Sequence, residues 1–550
     1  MQEKHSNIRF FPIEALQLAA VLAILFNLGI LLYFSAVTSL WDDETFSLFV
    51  SRLPLSNLLD LMIHNFDEDA PAYNVLQHVW QKVAHDNPFL LRLMPFTFWA
   101  ASIAGVGFLV NRLAGRRAMF WALIITALWP YHWIYPIAMR WYSLSAALGI
   151  WNLYFFVRLY ESQDPNTRSS QSSQLLFGAM VALTGAALWY TVYFAPALAA
   201  AELPLLVLAA RFSPRSVGAW AAAWLGAVIL YLPWLPTFLA QIGDSVGNRF
   251  TFKAVASSSY VLWAGDFSIP TAFWISLPFL ASFIVGVLLT LKYWSMSRTP
   301  IIVGGILFLF MLAFGVIEAK RLLLITIFLS AGIGIAVAAA LDQGSRNVVR
   351  KVVVAAGILA LVGFGGSFVN ITSKSGWFTY RWLDQVEETA QRIESEYPGA
   401  LILSNSNSLA FYSHDPTGLD MTKYWFDNNL GLASETKVWN TQTCWRSVSI
   451  PPVPLPNCHP DYARLMERAI KSTTEIVYVH HAFFTGAGST TEMKSVLSWL
   501  AARGFEQVGQ WQSTPIQKGI ERFLNFPDHP KYRITAIYLE KTLGSSSTSD

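Results

Sequence analysis

Long apolar runs occupy the first two-thirds of the chain, and most have the length of a helix that crosses a bilayer. About 20 apolar residues are needed to span the hydrocarbon core. These runs predict a polytopic α-helical membrane protein with about eleven transmembrane helices, of which two, at 141–158 and 175–190, are short. The runs lie at 14–38, 89–110, 118–136, 141–158, 175–190, 192–210, 217–240, 269–291, 300–317, 322–340 and 352–370.

The composition excludes a soluble enzyme. Hydrophobic residues make up 54% of the 550 residues and charged residues 13%, which is about half the charged share of a soluble domain. The net charge of +3 comes without a basic tract, so no nucleic-acid partner is expected. Membrane lipids are the expected surroundings.

The distribution of cations predicts the orientation in the membrane. The first apolar run is too long for a cleavable signal and is preceded by Lys4 and Arg9, which places the N-terminus in the cytoplasm. Within residues 1–370, the loops predicted to be cytoplasmic carry most of the other cations: Arg112, Arg116, Arg117, Arg158, Arg168, Arg211, Arg215, Lys292, Arg298, Arg346, Arg350 and Lys351. With an odd number of spans, a transmembrane module at 1–370 is followed by residues on the outer face of a plasma membrane, which is the inner membrane in a bacterium.

The residues after 370 have a different pattern, which predicts a periplasmic or extracellular α/β domain at 371–543. Apolar strand-like runs at 400–403, 475–479 and 534–539 alternate with amphipathic helical patterns. These helical patterns lie at 382–396, 460–471 and 491–503. Residues 544–550 are polar and predict a disordered end.

The two cysteines of the chain, Cys444 and Cys458, both lie in this C-terminal part. In an oxidising compartment they could form one disulfide that closes the Pro-rich stretch 451–457. Two free thiols too far apart to bridge are the alternative, and the sequence leaves both open.

Carboxylates concentrate in the predicted outer loop 41–88. Asp42, Asp43 and Glu44 directly follow the first apolar run, and a second stretch contains Asp67, Glu68 and Asp69 before Tyr73. Partial desolvation at the end of a transmembrane helix raises the basicity of a carboxylate. The loop therefore predicts a catalytic site, and a solvated loop in which Asp42 caps a helix is the alternative.

Cations also stand at outer helix ends, against the positive-inside bias. Arg140 begins the fourth apolar run together with Tyr142, and Lys320 and Arg321 begin the tenth. The planar fork of arginine donates two parallel hydrogen bonds to a phosphate. Together with the carboxylates, these cations favour a site for an anionic headgroup over simple snorkelling to the membrane surface.

Several short motifs occur in an order that resembles a known family. They are Asp43-Glu44, Asp67 to Pro71 before Tyr73, Leu91-Arg92-Leu93-Met94-Pro95, Arg140-Trp141-Tyr142, Tyr190-Thr191-Val192-Tyr193, Leu232-Pro233-Trp234-Leu235-Pro236, and Arg321 before an apolar run. The set is similar to the GT-C glycosyltransferases of the protein O-mannosyltransferase and aminoarabinose-transferase type, which are family 39-like. The resemblance covers roughly residues 40–330.

The resemblance implies an inverting transferase that uses a polyprenyl-phosphate sugar at the outer face of the membrane. It assigns the role of catalytic base to Asp43, with Glu44 beside it. It assigns the binding of the donor phosphate to Arg140 and Arg321. Candidate additions are Tyr142 and Lys320 at the phosphate, and Asp67, Glu68, Asp69, Tyr73 and Tyr193 for substrate binding. The acceptor could be a glycan, a lipid or a protein.

Two departures from the family pattern concern the substrate and any metal requirement. Asp69-Ala70-Pro71 replaces a His-Pro-Pro or Lys-Pro-Pro sequence, and Val192 stands where a histidine is common. The loop carboxylates are hard ligands suited to Mg²⁺ or Mn²⁺, but no obligatory ion is expected. The C-terminal histidines His414, His459, His480 and His481 match no zinc-ligand spacing.

Two functions without catalysis remain as alternatives. A lipid or solute transporter would be expected to carry ionisable residues within its spans, where Glu202 is nearly the only carboxylate. An envelope-assembly protein would not need an acidic pair at a helix end. Replacement of Asp43 separates a transferase from both.

Overall fold

A computed structural model describes most of the chain. The described residues are 12–38, 40, 42–63, 70–133, 135–163, 170–208, 214–245, 270–313, 319–343, 347–372, 381–404, 406–413, 438–440, 460–481, 489–512 and 534–542. The chain divides into two compact units: unit 1 is Met1–Val37 with Ser56–Ile371, and unit 2 is Thr38–Leu55 with Thr372–Asp550.

The first helices in chain order are α1 Ile13–Val37, α2 Asp42–Arg52, α3 Leu55–Ile63, α4 Pro71–Ala84, α5 Pro88–Leu128 and α6 Tyr142–Ser162. They are followed by α7 Gln171–Trp189, α8 Pro196–Leu208, α9 Pro214–Tyr231, α10 Leu235–Ser245, α11 Pro270–Lys292, α12 Trp294–Ala313, α13 Leu323–Gln343 and α14 Asn347–Thr372. Apart from α2 and the terminal residues Leu55 of α3 and Thr372 of α14, which belong to unit 2, these helices make up unit 1.

Within the described residues, six helices are long and apolar enough to cross a membrane: Ile13–Ala36, Pro88–Leu128, Gln171–Trp189, Pro214–Gln241, Leu323–Asp342 and Val348–Gly365. A pair bent by 118°, Leu280–Lys292 with Ser297–Ala313, raises the number to seven if it forms one span. The apolar runs of the sequence therefore correspond to helices, and unit 1 is a helical membrane module.

One long helix contains two of the predicted runs. Helix α5 covers both 89–110 and 118–136 up to Leu128, and Gly115 breaks it with φ 81° and ψ 177°. Positive φ is strained for residues with a Cβ, so glycine allows this break. Next to it, Arg112 bonds Glu161 at 2.8 Å and Arg117 pairs with Asp342. These ion pairs join the break in α5 to the C-terminal ends of α6 and α13.

Helix α13 forms the centre of unit 1. It is apolar all round and almost completely buried, as expected of a helix surrounded by other helices. It packs against α5 and α12, and a Cβ at Gly334 would overlap the backbone of Ala122. Helices α1 and α14 instead expose leucine, valine and other apolar side chains over most of their length, as expected of helices that face lipid.

Unit 2 contains a five-stranded mixed sheet. Its remaining elements are α15 Arg381–Glu396, β1 Leu401–Ser404, α16 Asn407–Tyr412, β2 Val438–Asn440, α17 Pro460–Ser472, β3 Glu475–His481, α18 Ser489–Ala501, β4 Phe505–Gln512 and β5 Ile534–Lys541. The strand order is β2-β1-β3-β5-β4, in which β1 runs parallel to β2 and β3 while β5 runs antiparallel to β3 and β4.

Apolar alternation along the strands builds the core of unit 2. Side chains from four strands, among them Leu403, Tyr478, Phe505 and Ile537, form one cluster with buried residues of α17 and α18. On β5 the alternate residue Tyr538 stacks on Tyr397, which follows α15, with ring centroids 4.2 Å apart. Helices therefore pack against both faces of the sheet.

Candidate functional site

The first acidic stretch lies in helix α2 of unit 2. Asp43 and Glu44 are in its first turn, where the helix dipole stabilises negative charge. Glu44 is only 1% exposed, whereas Asp43 is half-buried. A half-buried carboxylate remains reachable by a substrate, so Asp43 is better placed than Glu44 to accept a proton.

The second acidic stretch is described only from Ala70 onward. Asp67, Glu68 and Asp69 lie outside the described residues. Ala70 is extended and Pro71 occupies the first turn of α4, where a missing N–H costs nothing. Tyr73 follows on the buried face of this helix and is 2% exposed.

A hydrogen-bonded chain holds Tyr193, another predicted substrate residue. Its hydroxyl donates to Oε1 of Gln241 and accepts from Nε1 of Trp234 at 3.1 Å. The amide of Gln241 in turn donates to the backbone oxygen of Met62 at 2.7 Å. Both functions of the Tyr193 hydroxyl are thus used within the protein, which favours a supporting role over direct substrate contact.

Two cation-bearing segments of unit 1 lie together. The Tyr131 hydroxyl lies beside the backbone of Leu322, the residue after Arg321. Tyr131 also packs on Tyr135 with ring centroids 4.5 Å apart, and Tyr135 contacts Tyr142 edge-on at 6.5 Å. The segment with Arg140 and Tyr142 and the segment with Arg321 are therefore joined through tyrosines.

The exposure of the cations fits a role in ligand binding. Arg140 and Arg321 are both partly exposed, although the Nε atom of Arg140 is buried. Lys320 lies in the one-turn helix Ala319–Leu322, and its side chain is outside the described residues. Arginine heads that are half-desolvated but reachable interact with an anion more strongly than fully solvated ones.

A buried polar network fixes the aromatic segment that precedes Arg140. Trp99 donates to Oδ1 of Asn27 at 2.9 Å, and Nδ2 of Asn27 donates to the backbone oxygen of His132 at 3.2 Å. The His132 ring bonds the backbone oxygen of Thr126 and the hydroxyl of Thr326, both at 2.8 Å. The network links α1, α5 and α13 to the segment 130–137.

Sequence reasoning missed Gln241 as part of this region, and it named Trp234 only within the motif Leu232 to Pro236. The run 217–240 predicts a single span, and the structure has one candidate span there, Pro214–Gln241, in which the one-turn helix Leu232–Trp234 separates α9 from α10. Pro233 and Pro236 mark this division. The available sequence signal for Gln241 was an amide side chain directly after the apolar run 217–240, and the structure buries it to 1% exposure.

The C-terminal histidines and cysteines add no described site. Among the described residues, no group of three or more histidine, cysteine or carboxylate side chains could hold a metal ion. His414, His459, Cys444 and Cys458 lie outside these residues. His480 is 3% exposed and bonded to the Tyr478 hydroxyl, and burial lowers its pKa to about 4. A neutral imidazole on a central strand is a structural group.

No protein-family model and no curated protein matches the sequence. Solved structures match over nearly the whole chain. ArnT from Cupriavidus metallidurans, bound to undecaprenyl phosphate, aligns with a TM-score of 0.54 and 12% identity over 94% of this chain and 97% of the ArnT chain. The apo form of ArnT gives 0.53 and 13% over the same shares.

A second solved glycosyltransferase also aligns. The archaeal oligosaccharyltransferase AglB from Archaeoglobus fulgidus, in complex with an inhibitory peptide and a dolichol-phosphate, gives a TM-score of 0.50 and 10% identity over 91% of this chain and 73% of AglB. Both neighbours are GT-C glycosyltransferases. The chain therefore has the GT-C fold expected from its ordered motifs.

Proposed function

We propose that the protein is a membrane glycosyltransferase that moves a sugar from a polyprenyl-phosphate donor to an acceptor glycan, lipid or protein. The observation that carries the proposal is the 2.8 Å bond between the His132 ring and the Thr326 hydroxyl, because it holds the segment before Arg140 against the start of α13, which follows Arg321 in unit 1. The GT-C fold, shared with an ArnT bound to undecaprenyl phosphate, supports the same donor class.

The two arginines have the chemistry that the leaving group requires. As the bond between sugar C1 and the phosphate oxygen breaks, the electron pair and a negative charge move to the phosphate. Guanidinium groups held in place before the reaction stabilise that charge without reorganisation. Arg140 and Arg321 take this role, and Lys320 and Tyr142 are the neighbouring candidates for the phosphate.

The acceptor hydroxyl loses its proton as its oxygen attacks C1. Asp43 is the proposed general base, since its half-buried carboxylate is reachable. Glu44 is buried beside it and shapes its surroundings. Attack and departure in a single displacement invert the anomeric centre, so no covalent nucleophile is required.

The remaining candidates concern substrate selection. Asp67, Glu68 and Asp69 are proposed to bind polar groups of the donor or acceptor, next to Tyr73 on α4. Tyr193 contributes through its bond to Gln241. No obligatory metal is proposed, because the arginines supply the positive charge.

The proposed orientation has eleven spans, a cytoplasmic N-terminus and an exoplasmic α/β domain after residue 370, in the bacterial inner membrane or its equivalent. Arg112, Arg117 and their partners Glu161 and Asp342 support it, because loops predicted to be cytoplasmic meet in ion pairs.

The test is sugar release by the purified full-length protein from a panel of radiolabelled polyprenyl-phosphate donors, with lipid extract as acceptor. Asp43→Asn keeps the size of the side chain and removes the base. Asp86→Asn is the matched control, since Asp86 is exposed in the turn after α4. We expect one donor to be turned over by the wild type and Asp86→Asn, and by Asp43→Asn at least roughly 10²-fold more slowly.

Each outcome decides between the classes of function. Loss of turnover in Asp43→Asn with donor binding retained supports the transferase and identifies the sugar. Absence of turnover from every donor by all three proteins would contradict it and favour a transporter or an assembly protein.

A further inference from the structure

Leu40 lies two residues before helix α2 and is completely buried. The short helix α16 of unit 2 forms a hydrogen bond with each of the two backbone groups of Leu40. Its N–H donates to the Tyr412 hydroxyl at 2.8 Å, and its carbonyl oxygen accepts from the Ser408 hydroxyl at 3.1 Å. Ser408 and Tyr412 are four residues apart on α16 and so share one face of that helix. We call these two bonds the Leu40 clamp.

Helix α16 is itself fixed to the sheet. The N–H of Ser406 donates to the hydroxyl of Ser404, the last residue of β1, at 3.1 Å. Ser406 then caps α16 by accepting from the N–H of Leu409 at 3.4 Å. Because β1 pairs with strands on both sides, the clamp connects Leu40 to the interior of the sheet.

Helix α2 depends on such contacts for its placement. It has 11 residues, and isolated helices of this length are only marginally stable in water. It packs against α16, and it begins two residues after Leu40. The position of Leu40 therefore sets where the first turn of α2, with Asp43 and Glu44, begins.

We propose that Ser408 and Tyr412 are positioning residues for the carboxylates of α2. This inference rests on the proposed function, in which Asp43 removes the proton of the acceptor. Small displacements of a catalytic group reduce the rate of the chemical step, while the donor-binding arginines lie on other segments. The clamp should thus affect kcat and leave the KM for the donor unchanged.

The experiment compares Tyr412→Phe and Ser408→Ala with a matched control in the full-length protein. Each removes one clamp bond, and loss of about 1 kcal/mol of positioning corresponds to roughly a 5-fold lower kcat. Tyr397→Phe is the control, because Tyr397 lies in the same unit and stacks on Tyr538 through its ring. We expect kcat to fall in the two clamp variants and not in Tyr397→Phe, with the donor KM constant in all three.

A second measurement is independent of activity. Hydrogen exchange of the backbone amides in 42–52 should accelerate roughly 5-fold in the clamp variants, whereas exchange in β3 should remain slow and report an intact sheet. Unchanged exchange in 42–52 would overturn the clamp. Faster exchange with unchanged kcat, when Asp43→Asn is inactive, would overturn the positioning role.

Failure of the proposed function has its own signature. An active Asp43→Asn would remove the base from the mechanism, and with it the catalytic consequence of the clamp. That result comes from a variant that leaves Leu40, Ser408 and Tyr412 intact, so the two failures are distinguishable.

Discussion

The backbone N–H of Ala72 donates to the carbonyl oxygen of Tyr190 at 2.8 Å. Ala72 is the second residue of helix α4, which follows the second acidic stretch, and Tyr190 begins the tyrosine motif that ends at Tyr193. Two motifs that are far apart in sequence are therefore neighbours at the level of the backbone. The start of α4 is fixed relative to the residues that surround Tyr193, which makes the Tyr193 network the first part of the region to test.

Replacement of Tyr193 by phenylalanine should destabilise unit 1. It leaves Oε1 of Gln241 and Nε1 of Trp234 without their shared partner, at a cost of about 1–3 kcal/mol. The thermal unfolding temperature in detergent should fall by a few degrees. Tyr160→Phe, at a partly exposed position of α6, is the control. Equal unfolding temperatures of the two variants would show that the Tyr193 network does not stabilise unit 1.

Lysine in place of Arg140 or Arg321 should lower kcat/KM for the donor by roughly 10- to 100-fold each. Lysine keeps the charge but loses the planar fork that donates two parallel bonds to a phosphate. Steady-state kinetics with the active donor measure the effect. Arg116→Lys, at an exposed position beside the break in α5, should behave as wild type; full activity of both site variants would mean that neither guanidinium binds the phosphate.

The stability of unit 2 should decrease between pH 7 and pH 5 because of His480. Burial lowers its pKa to about 4 in the folded state, against about 6.5 in an unfolded chain. The unfolded state therefore binds more protons as pH falls through 6.5, and stability is lost toward the folded pKa. The loss at pH 5 is about 2 kcal/mol.

Hydrogen exchange of β3 amides, corrected for the intrinsic effect of pH, measures this loss. Protection should fall roughly 20-fold between pH 7 and pH 5 in the wild type, and less in His480→Gln. The same pH dependence in both proteins would assign the loss to other groups.

Removal of divalent cations should leave sugar transfer unchanged. Two guanidinium groups are proposed to neutralise the departing phosphate, which is the role that a metal would otherwise have. Turnover in excess EDTA, compared with turnover in Mg²⁺ or Mn²⁺, tests this. Loss of activity in EDTA that either ion restores would assign a metal to the carboxylates instead.

The helices of the membrane module were predictable because a helix buried in lipid or protein needs a long apolar run, and such runs are visible directly in the sequence. The exceptions have local causes. Gly115 lets α5 continue through two runs with a single non-helical residue. Pro233 and Pro236 accompany a one-turn helix inside the candidate span Pro214–Gln241. Strand β4 was missed because, as an edge strand, it alternates with exposed polar residues.

The cations of the candidate site could be predicted, but their surroundings could not. Arg140 and Arg321 stand out in sequence because they oppose the positive-inside bias. The bond between His132 and Thr326 cannot be read from the sequence in this way, since it joins two side chains that are 194 positions apart. For the same reason the association of α2 with the C-terminal unit follows from tertiary contacts alone.

The Leu40 clamp can form only late in the synthesis of the chain. Leu40 and Tyr412 are 372 positions apart, and at 5–20 residues per second the ribosome needs roughly 20 to 70 s to make the intervening chain. Every apolar helix of the membrane module is complete before the partner of Leu40 exists. A chain that stalls or is cut short in this interval has the arginines of its proposed donor site but no support for its proposed base, so competence for transfer arrives only with the last third of synthesis.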